Sequence, residues 1–358
     1  TLFKRDFAFY QGVDFHSVVL DEAQAIKNAQ AQLSQKVKQL KARFRLALSG
    51  TPFENNLLEL KSVFDFAMPG LLGADSVFKS QFVEQDVSAR GALSRTIKPY
   101  LLRRAKADVL CELPSKTELV KQLDMLPAQA EVYQDYHSTL HNKLSHLVSA
   151  QGIGKSKLQF LDALLKLRQI CCHPQLVDEQ YQNSSAKLQW LVAHLPGMLA
   201  QDHHVIIFSQ FTSMLRLIAQ QLQDIGIDYA LLTGQTRNRQ QQVNDFQQGR
   251  KRVFLISLKA GGSGLNLTKA DTVIHFDPWW NPAVEHQATD RAYRMGQDRS
   301  VFVYKLIIAN SVEQQVMALA DKKRSLVDEF LNGALLSDKK IDDNQLLEML
   351  NLEKEEKV

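Results

Sequence analysis

The sequence predicts an α/β protein whose second half is one doubly wound parallel sheet, preceded by part of another such unit carrying helical insertions. Two observations carry this. From Val205 onward, short apolar runs alternate with amphipathic helical patterns, as in a parallel sheet covered on both faces. Near the start, two further apolar runs each end in a polar loop, with helical periodicity between them.

In chain order, Val18, Val19 and Leu20 run directly into Asp21 and Glu22. Leu33, Val37 and Leu40 follow at i, i+4, i+7 and so share one helix face. Phe44 to Leu48 is a second apolar run, broken by Ser49-Gly50-Thr51-Pro52. Residues 57–112 are helical and irregular in pattern. After Pro114 the alternation of Leu119, Lys121 and Leu123 suggests a short strand, and 128–149 is helical again. Leu158, Leu161, Leu165 and then Leu188, Leu191, Leu195 mark two more helices. Strands are expected at 205–208, 229–232, 253–257, 272–276 and 301–307, with helices at 212–224, 236–247, 283–294 and 311–331. The expected organisation is a partial first lobe over 1–68, a helical linking region over 69–156, a complete second lobe over 157–332 and a tail over 333–358.

Composition narrows the classes. The 358 residues suit about two domains, and 45% hydrophobic with 23% charged residues is an ordinary globular balance. Gly (16) and Pro (9) are too few for a linker-dominated chain. No apolar stretch approaches the roughly 18 residues of a membrane span, so no membrane association is expected. The chain opens on Thr1 in mid-pattern, which suggests a piece of a longer protein. A net charge of +4 permits phosphate-backbone binding without demanding it. Three cysteines fit a reducing compartment. Cys171-Cys172-His173 is poorly spaced for zinc and reads as a buried helix end stopped by Pro174.

In open parallel sheets function gathers in the loops beyond the C-terminal strand ends. Four such loops are chemically distinctive. Asp21 at a strand tip can hold Mg²⁺ through waters, and neighbouring Glu22 can orient or deprotonate a water; the same pair also occurs as a plain strand end. LSGTPFENN offers the Ser49 and Thr51 hydroxyls, or an ordinary turn. In SLKAGGSGLNLT, Gly261, Gly262 and Gly264 bring backbone N–H groups close to an anion, and Lys259 adds a point charge. In EHQATDRAYRMGQ, Gln287, Arg291 and Arg294 fall at i, i+4, i+7 on one helix face. Two such arginines make either a salt-bridged surface or a clamp on a γ-phosphate. Before them, Asp277-Pro278-Trp279-Trp280 puts two large aromatics in a loop, to pack or to wedge against nucleic acid. Gly154-Lys155-Ser156 is rejected as a phosphate loop, because Ser149 stands where G-x-x-x-x-G-K-[ST] needs Gly and no apolar strand precedes it.

These motifs in this order resemble the Swi/Snf-type ATPases of helicase superfamily two, which translocate along double-stranded DNA without fully unwinding it. LDEAQAIKN is similar to the family's motif II (Walker B), LSGTPFENN to motif III, VIIFSQF to motif IV, ISLKAGGSGLNL to motif V and QATDRAYRMGQ to motif VI. LLRRAKADVLCELPSKTE and KLRQICCHP resemble the family's linking segments, and the likeness spans about residues 15–330. It implies two RecA-like lobes facing each other across a nucleotide cleft, with ATP and Mg²⁺ bound there and double-stranded DNA as partner. Asp21 would help hold Mg²⁺ and Glu22 would activate water. Ser49 and Thr51 would couple nucleotide state to lobe movement. Arg291 and Arg294 would be arginine fingers, with Gln287 beside them. Gly262 and Gly264 would face phosphate, of nucleotide or of DNA; Lys259, Ser209 and Gln210 would lie toward the DNA backbone, with Trp280 as a DNA-facing aromatic. Gln24 stands where relatives often have His.

One departure matters. The family's phosphate loop, which precedes motif II, has no match in these 358 residues. Without its Lys and amide cradle ATP loses its main phosphate contacts, so the longer protein is expected to hydrolyse ATP and this chain alone is not. The alternatives are a non-catalytic module that binds DNA or protein, and a strand-separating helicase; the RMGQ and GLNL forms lean toward the translocase branch. Cargo, such as a protein complex on DNA, and oligomeric state stay open. The lack of chromatin-reading additions leans toward a bacterial nucleoid, and a eukaryotic source would mean the nucleus.

Overall fold

The computed structural model describes residues 2–50, 57–83, 87–104, 106–110, 112–151, 153–261, 264–279, 281–318 and 321. These residues fold as two compact units, one ending at Arg103 and one running from Arg104 to Asp321.

In the first unit β1 (Asp14–Leu20) and β2 (Lys41–Ala47) pair in parallel, in register from Asp14↔Lys41 to Leu20↔Ala47, so the strands end level. A parallel pair needs a crossover, and α1 (Gln32–Lys38) lies within it. Ile26, Val37 and Phe66 pack beneath Val18, Leu20 and Ala47, while Val19, Phe44 and Leu46 stay exposed. α2 (Leu57–Ala67) places Leu57, Leu60 and Phe64 at i, i+3, i+7 against Leu72, Phe78 and the Leu93 and Ile97 of α3 (Val87–Ile97). Buried Lys61 on α2 is satisfied by Asp65 at 2.9 Å and Asp75 at 2.8 Å.

In the second unit β3 (Lys116–Leu123) precedes a helical hairpin, α4 (Pro127–Gln151) and α5 (Ile153–Cys172), and then α6 (Ala186–Ala200). Strand and helix alternate from there: β4 (Val205–Ser209), α7 (Thr212–Asp224), β5 (Tyr229–Leu232), α8 (Arg239–Gln247), β6 (Val253–Ser257), β7 (Thr272–His275), α9 (Pro282–Thr289) and β8 (Val301–Ile308). The strands form one six-stranded sheet, order β3-β8-β7-β4-β6-β5, every neighbouring pair parallel. Side chains alternate across a strand, and here both faces are covered. Val205, Ile207, Val253, Leu255 and Ile274 pack under α6 and α7. Ile206, Phe208, Phe254, Ile256 and Val273 pack under Phe246 of α8 and Ala288 of α9. That double cover is why β4 and β6 read as apolar runs and β7 as a buried one with Val273 and Ile274 at its centre.

The five strands expected from Val205 onward are present with ends shifted by at most one residue. Two differences bear on function. The short strand foreseen near Leu119–Leu123 is the full edge strand β3, paired with β8 from Lys116↔Val301 to Leu123↔Ile308; its largely polar sequence reflects an edge position. The helix expected over 283–294 ends at Thr289. Gly154-Lys155-Ser156 lies inside α5, not after a strand. The helix expected at 311–331 is helical over 312–318; its basic residues Lys322, Lys323 and Arg324, and the tail, lie outside the described residues.

Candidate functional site

The first unit's site begins where β1 and β2 end together. Leu48 N donates to Leu20 O and Ala23 N to Leu48 O, both at 2.8 Å, which lays the loop of Asp21 and Glu22 beside that of Ser49. Glu22 is left-handed at φ 52°, ψ 51°, a conformation that costs a non-glycine residue about 1 kcal/mol or more and clusters at functional positions. Its amide donates to Asp21 Oδ1 at 2.9 Å. Gln24 Nε2 donates to Glu22 Oε2 at 2.6 Å, and the Ser49 hydroxyl donates to Gln24 Oε1 at 2.7 Å. Gln24, which the sequence marks only as a variant letter, is therefore the joint between the two motifs. Asp21 is exposed at the strand tip, a hard oxygen donor suited to Mg²⁺. No group of three or more metal-capable side chains gathers among the described residues. Thr51 lies outside the described residues.

In the second unit Gln287 sits half-buried on α9, but Arg291 and Arg294 lie beyond its end. Their expected alignment on one helix face is corrected: both stand in a turn. Arg291 O accepts from Leu267 N at 2.9 Å and Ala292 O from Gln297 Nε2 at 3.1 Å, which fixes the turn against the neighbouring segments. Arg294 Nη1 donates to Leu265 O at 3.3 Å, joining the arginine turn to the glycine-rich loop. Gln297 also donates to Ala270 O at 2.7 Å and accepts from Arg299 N at 2.9 Å. On the other side, Lys106 holds Asp290 at 2.6 Å and the Tyr293 carbonyl at 2.9 Å, and the Tyr293 hydroxyl donates to Pro114 O at 3.0 Å. The first linking segment thus clamps the turn between the two arginines.

In the glycine-rich loop Lys259 is exposed on the short helix Leu258–Gly261. Gly261 is required by packing, not by an anion: a Cβ there would lie 2.9 Å from Phe208 Cε1. Gly264 has φ +45°, suiting glycine. Gly262 and Trp280 lie outside the described residues. At the end of β4, Ser209 is corrected. It is fully buried and its hydroxyl donates to Asp277 Oδ1, so it has no surface to offer DNA. Half-buried Gln210 sits beside it, its amide donating to Asp277 Oδ2 at 3.1 Å. Burial raises the Asp277 carboxyl against the Ser209 hydrogen bond and the Arg168 and Lys187 charges, which lower it. Cys171 and Cys172 are core residues with thiols pushed up by burial. His173 is held down to about 4 by burial, its Nδ1 accepting from Gln175 N at 3.2 Å.

In the second unit, a six-stranded parallel sheet with this strand order and a paired-arginine turn tied to a glycine-rich loop define a RecA-like lobe of the helicase type. The chain belongs to the Snf2 family. The SNF2-related domain matches residues 2–176 and the helicase conserved C-terminal domain residues 186–296. The chain is 38% identical over 336 residues to YwqA, a candidate ATP-dependent helicase/translocase of Bacillus subtilis (strain 168), covering 90% of this chain and 36% of that protein. It is 33% identical over 334 residues to the ISWI chromatin-remodeling complex ATPase ISW1 of Saccharomyces cerevisiae (strain ATCC 204508 / S288c), covering 88% and 29%. The Sulfolobus solfataricus SWI2/SNF2 ATPase core in complex with dsDNA matches with a TM-score of 0.54 at 34% identity, over 98% of this chain and 76% of that one. The chain spans about a third of the length of the curated relatives it matches. No helix among the described residues is long and apolar enough to cross a membrane.

Proposed function

We propose that the chain is part of an ATP-dependent double-stranded-DNA translocase or remodeller whose two units contribute different groups to one triphosphate. The observation that supports this most is the hydrogen-bonded chain Glu22–Gln24–Ser49. It ties a strained carboxylate to the next strand's loop, as is needed if hydrolysis in one loop is to shift another. Asp21 would hold Mg²⁺ through water; when bound, the ion neutralises charge on the phosphates. Glu22 orients the attacking water and accepts its proton, with Gln24 fixing the carboxylate. Arg291 and Arg294 neutralise charge on the transferring phosphoryl group, and Gln287 stands near them. Thr51 shares the coupling role of Ser49.

DNA is the proposed partner through Lys259, Gln210, Trp280 and the backbone at Gly262 and Gly264. The Sulfolobus core, held with dsDNA, supports the partner class. Backbone contact implies little sequence preference and strong salt dependence. A DNA-bound protein complex is the proposed cargo, by analogy with ISW1, in the nucleoid or nucleus according to source.

The 358 residues contain no G-x-x-x-x-G-K-[ST] loop after a strand, so the isolated chain is proposed not to hydrolyse ATP measurably. The test is ATP turnover, with and without duplex DNA, by this chain and by a longer protein carrying such a loop ahead of Asp21. DNA-stimulated turnover by the longer protein only is expected. Turnover by this chain refutes its proposed inactivity, and none by either favours the binding-module reading. Strand displacement on forked DNA would favour a true helicase.

A further inference from the structure

The chain leaves β7 through Phe276, Asp277, Pro278 and Trp279, and every one of these residues is tied to another element. Phe276 N donates to Phe208 O at 2.9 Å, and Phe276 O accepts from Lys187 Nζ at 2.8 Å. Asp277 takes the Ser209 hydroxyl and the Gln210 amide. Pro278 O accepts from Arg168 Nη2 at 2.6 Å, and Trp279 N donates to Glu285 Oε1 at 2.8 Å. The cations are buried: Arg168 is 2% exposed, and Lys187 and its partner Glu313, 2.7 Å away, are both 0% exposed. The Arg168 guanidinium lies 5.9 Å from the ring centres of both Phe211 and Trp279.

Burying a charge costs several kcal/mol per ion, and packed apolar residues usually serve stability as well or better. Here both cations spend a hydrogen bond on carbonyls of the same four-residue segment. Their common effect is placement. A planar guanidinium can stack between two rings and still aim a donor in its plane, which an ammonium cannot. Arg168 belongs to KLRQICCHP, a segment to which the proposed mechanism gives no task.

We infer that Arg168 and Lys187 are positioning residues that hold the Phe276–Trp279 segment, and with it Gln210, in one fixed geometry for gripping duplex DNA. The inference rests on the proposed DNA-binding function and names what pre-shapes its surface. Neither cation touches phosphate. Their removal therefore lowers affinity without changing how many counterions binding releases.

The test uses this chain in a Trp190→Phe background, so that emission comes from Trp279 and Trp280 alone. Arg168→Met removes the fork while keeping length, Arg168→Lys keeps the charge, and Lys187→Met with Glu313→Leu removes the buried pair together and leaves no orphan charge. Acrylamide quenching without DNA reads how firmly the segment is held. Anisotropy with a fluorescein-labelled mixed-sequence duplex, across a salt series, reads affinity and slope. Folded Arg168→Met should show increased quenching and affinity down about tenfold, the scale of one misplaced stacking contact, at unchanged salt slope. Arg168→Lys should recover part of the loss, and the paired variant should shift both readouts in the same direction. If Arg168→Met does not fold, the other two variants decide. Unchanged quenching and affinity in folded variants overturn the inference, as does a slope reduced by about one, which would make Arg168 a phosphate contact. A background protein that fails to bind duplex at all sinks the DNA reading itself, and this inference with it.

Discussion

Asp21 and Glu22 sit in a loop laid down by two backbone bonds to Leu48, at the tip of a two-stranded sheet with apolar residues exposed on it. Their carboxylates are engaged by Glu22's own amide and the Gln24–Ser49 side chains. Arg291 and Arg294 stand in a turn bonded by its backbone to the neighbouring loop and stapled by a buried glutamine. The carboxylates of the acidic loop are joined by side-chain groups that re-pair easily; the arginine turn is fixed by groups that cannot let go without leaving buried carbonyls unsatisfied. The difference suggests a division of labour. Under the proposed function, the carboxylate side would respond to the nucleotide and the arginine side would be the rigid template for that response.

The largest expected effect is on the template's chemistry. In a longer protein bearing a phosphate loop, Arg294→Ala should lower kcat by about 10³-fold or more, with little change in folding midpoint; unchanged turnover would remove the finger role.

Next comes acid sensitivity of the second unit. Burial holds both His173 and His275 down to about 4, whereas free imidazole titrates near 6.5. Between these values the unfolded chain binds more protons than the folded one. Stability is thus complete above about pH 6.5 and falls as pH drops toward 4. Urea midpoints should fall from pH 6.5 to 5, and His275→Gln should flatten the slope; a slope unchanged by that substitution would contradict the assignment.

Gln297→Ala should cost about 1–3 kcal/mol in urea unfolding, because the Ala270 and Ala292 carbonyls are left unpaired. Smallest in stability is Gln24→Leu, expected within about 0.5 kcal/mol of wild type. It should nonetheless slow turnover by about tenfold if the Glu22–Ser49 joint matters, the order of one lost charge-assisted bond. The reverse pattern, stability lost and turnover kept, would abolish the proposed division.

Much of this is readable in the residues, for reasons that differ by element. β4, β6 and β7 announce themselves because both faces are buried and, apart from His275, every side chain is apolar or small. β3 is less distinct because an edge strand with half-exposed positions carries Lys116, Glu118 and Lys121. The turn that follows α9 is illegible in the sequence, since Leu267, more than twenty residues earlier, holds it through the Arg291 carbonyl. Local periodicity cannot register a bond to a distant loop. The resemblance of VIIFSQF to motif IV puts Ser209 toward the DNA backbone; only the fold reveals that its buried hydroxyl donates to Asp277. Gln24, Lys106 and Arg168 escape it as functional positions, although all three lie in segments whose unusual wording the sequence already shows.

The central claim is that the acidic pair and the arginine pair act on the same triphosphate. A double-mutant cycle on DNA-stimulated turnover, with Glu22→Gln and Arg294→Ala singly and together in the longer protein, tests it most directly. Groups acting as a unit are strongly non-additive, so the double variant should be little worse than the worse single one. Losses that multiply, or an Arg294→Ala protein that turns over at the wild-type rate, would contradict the claim.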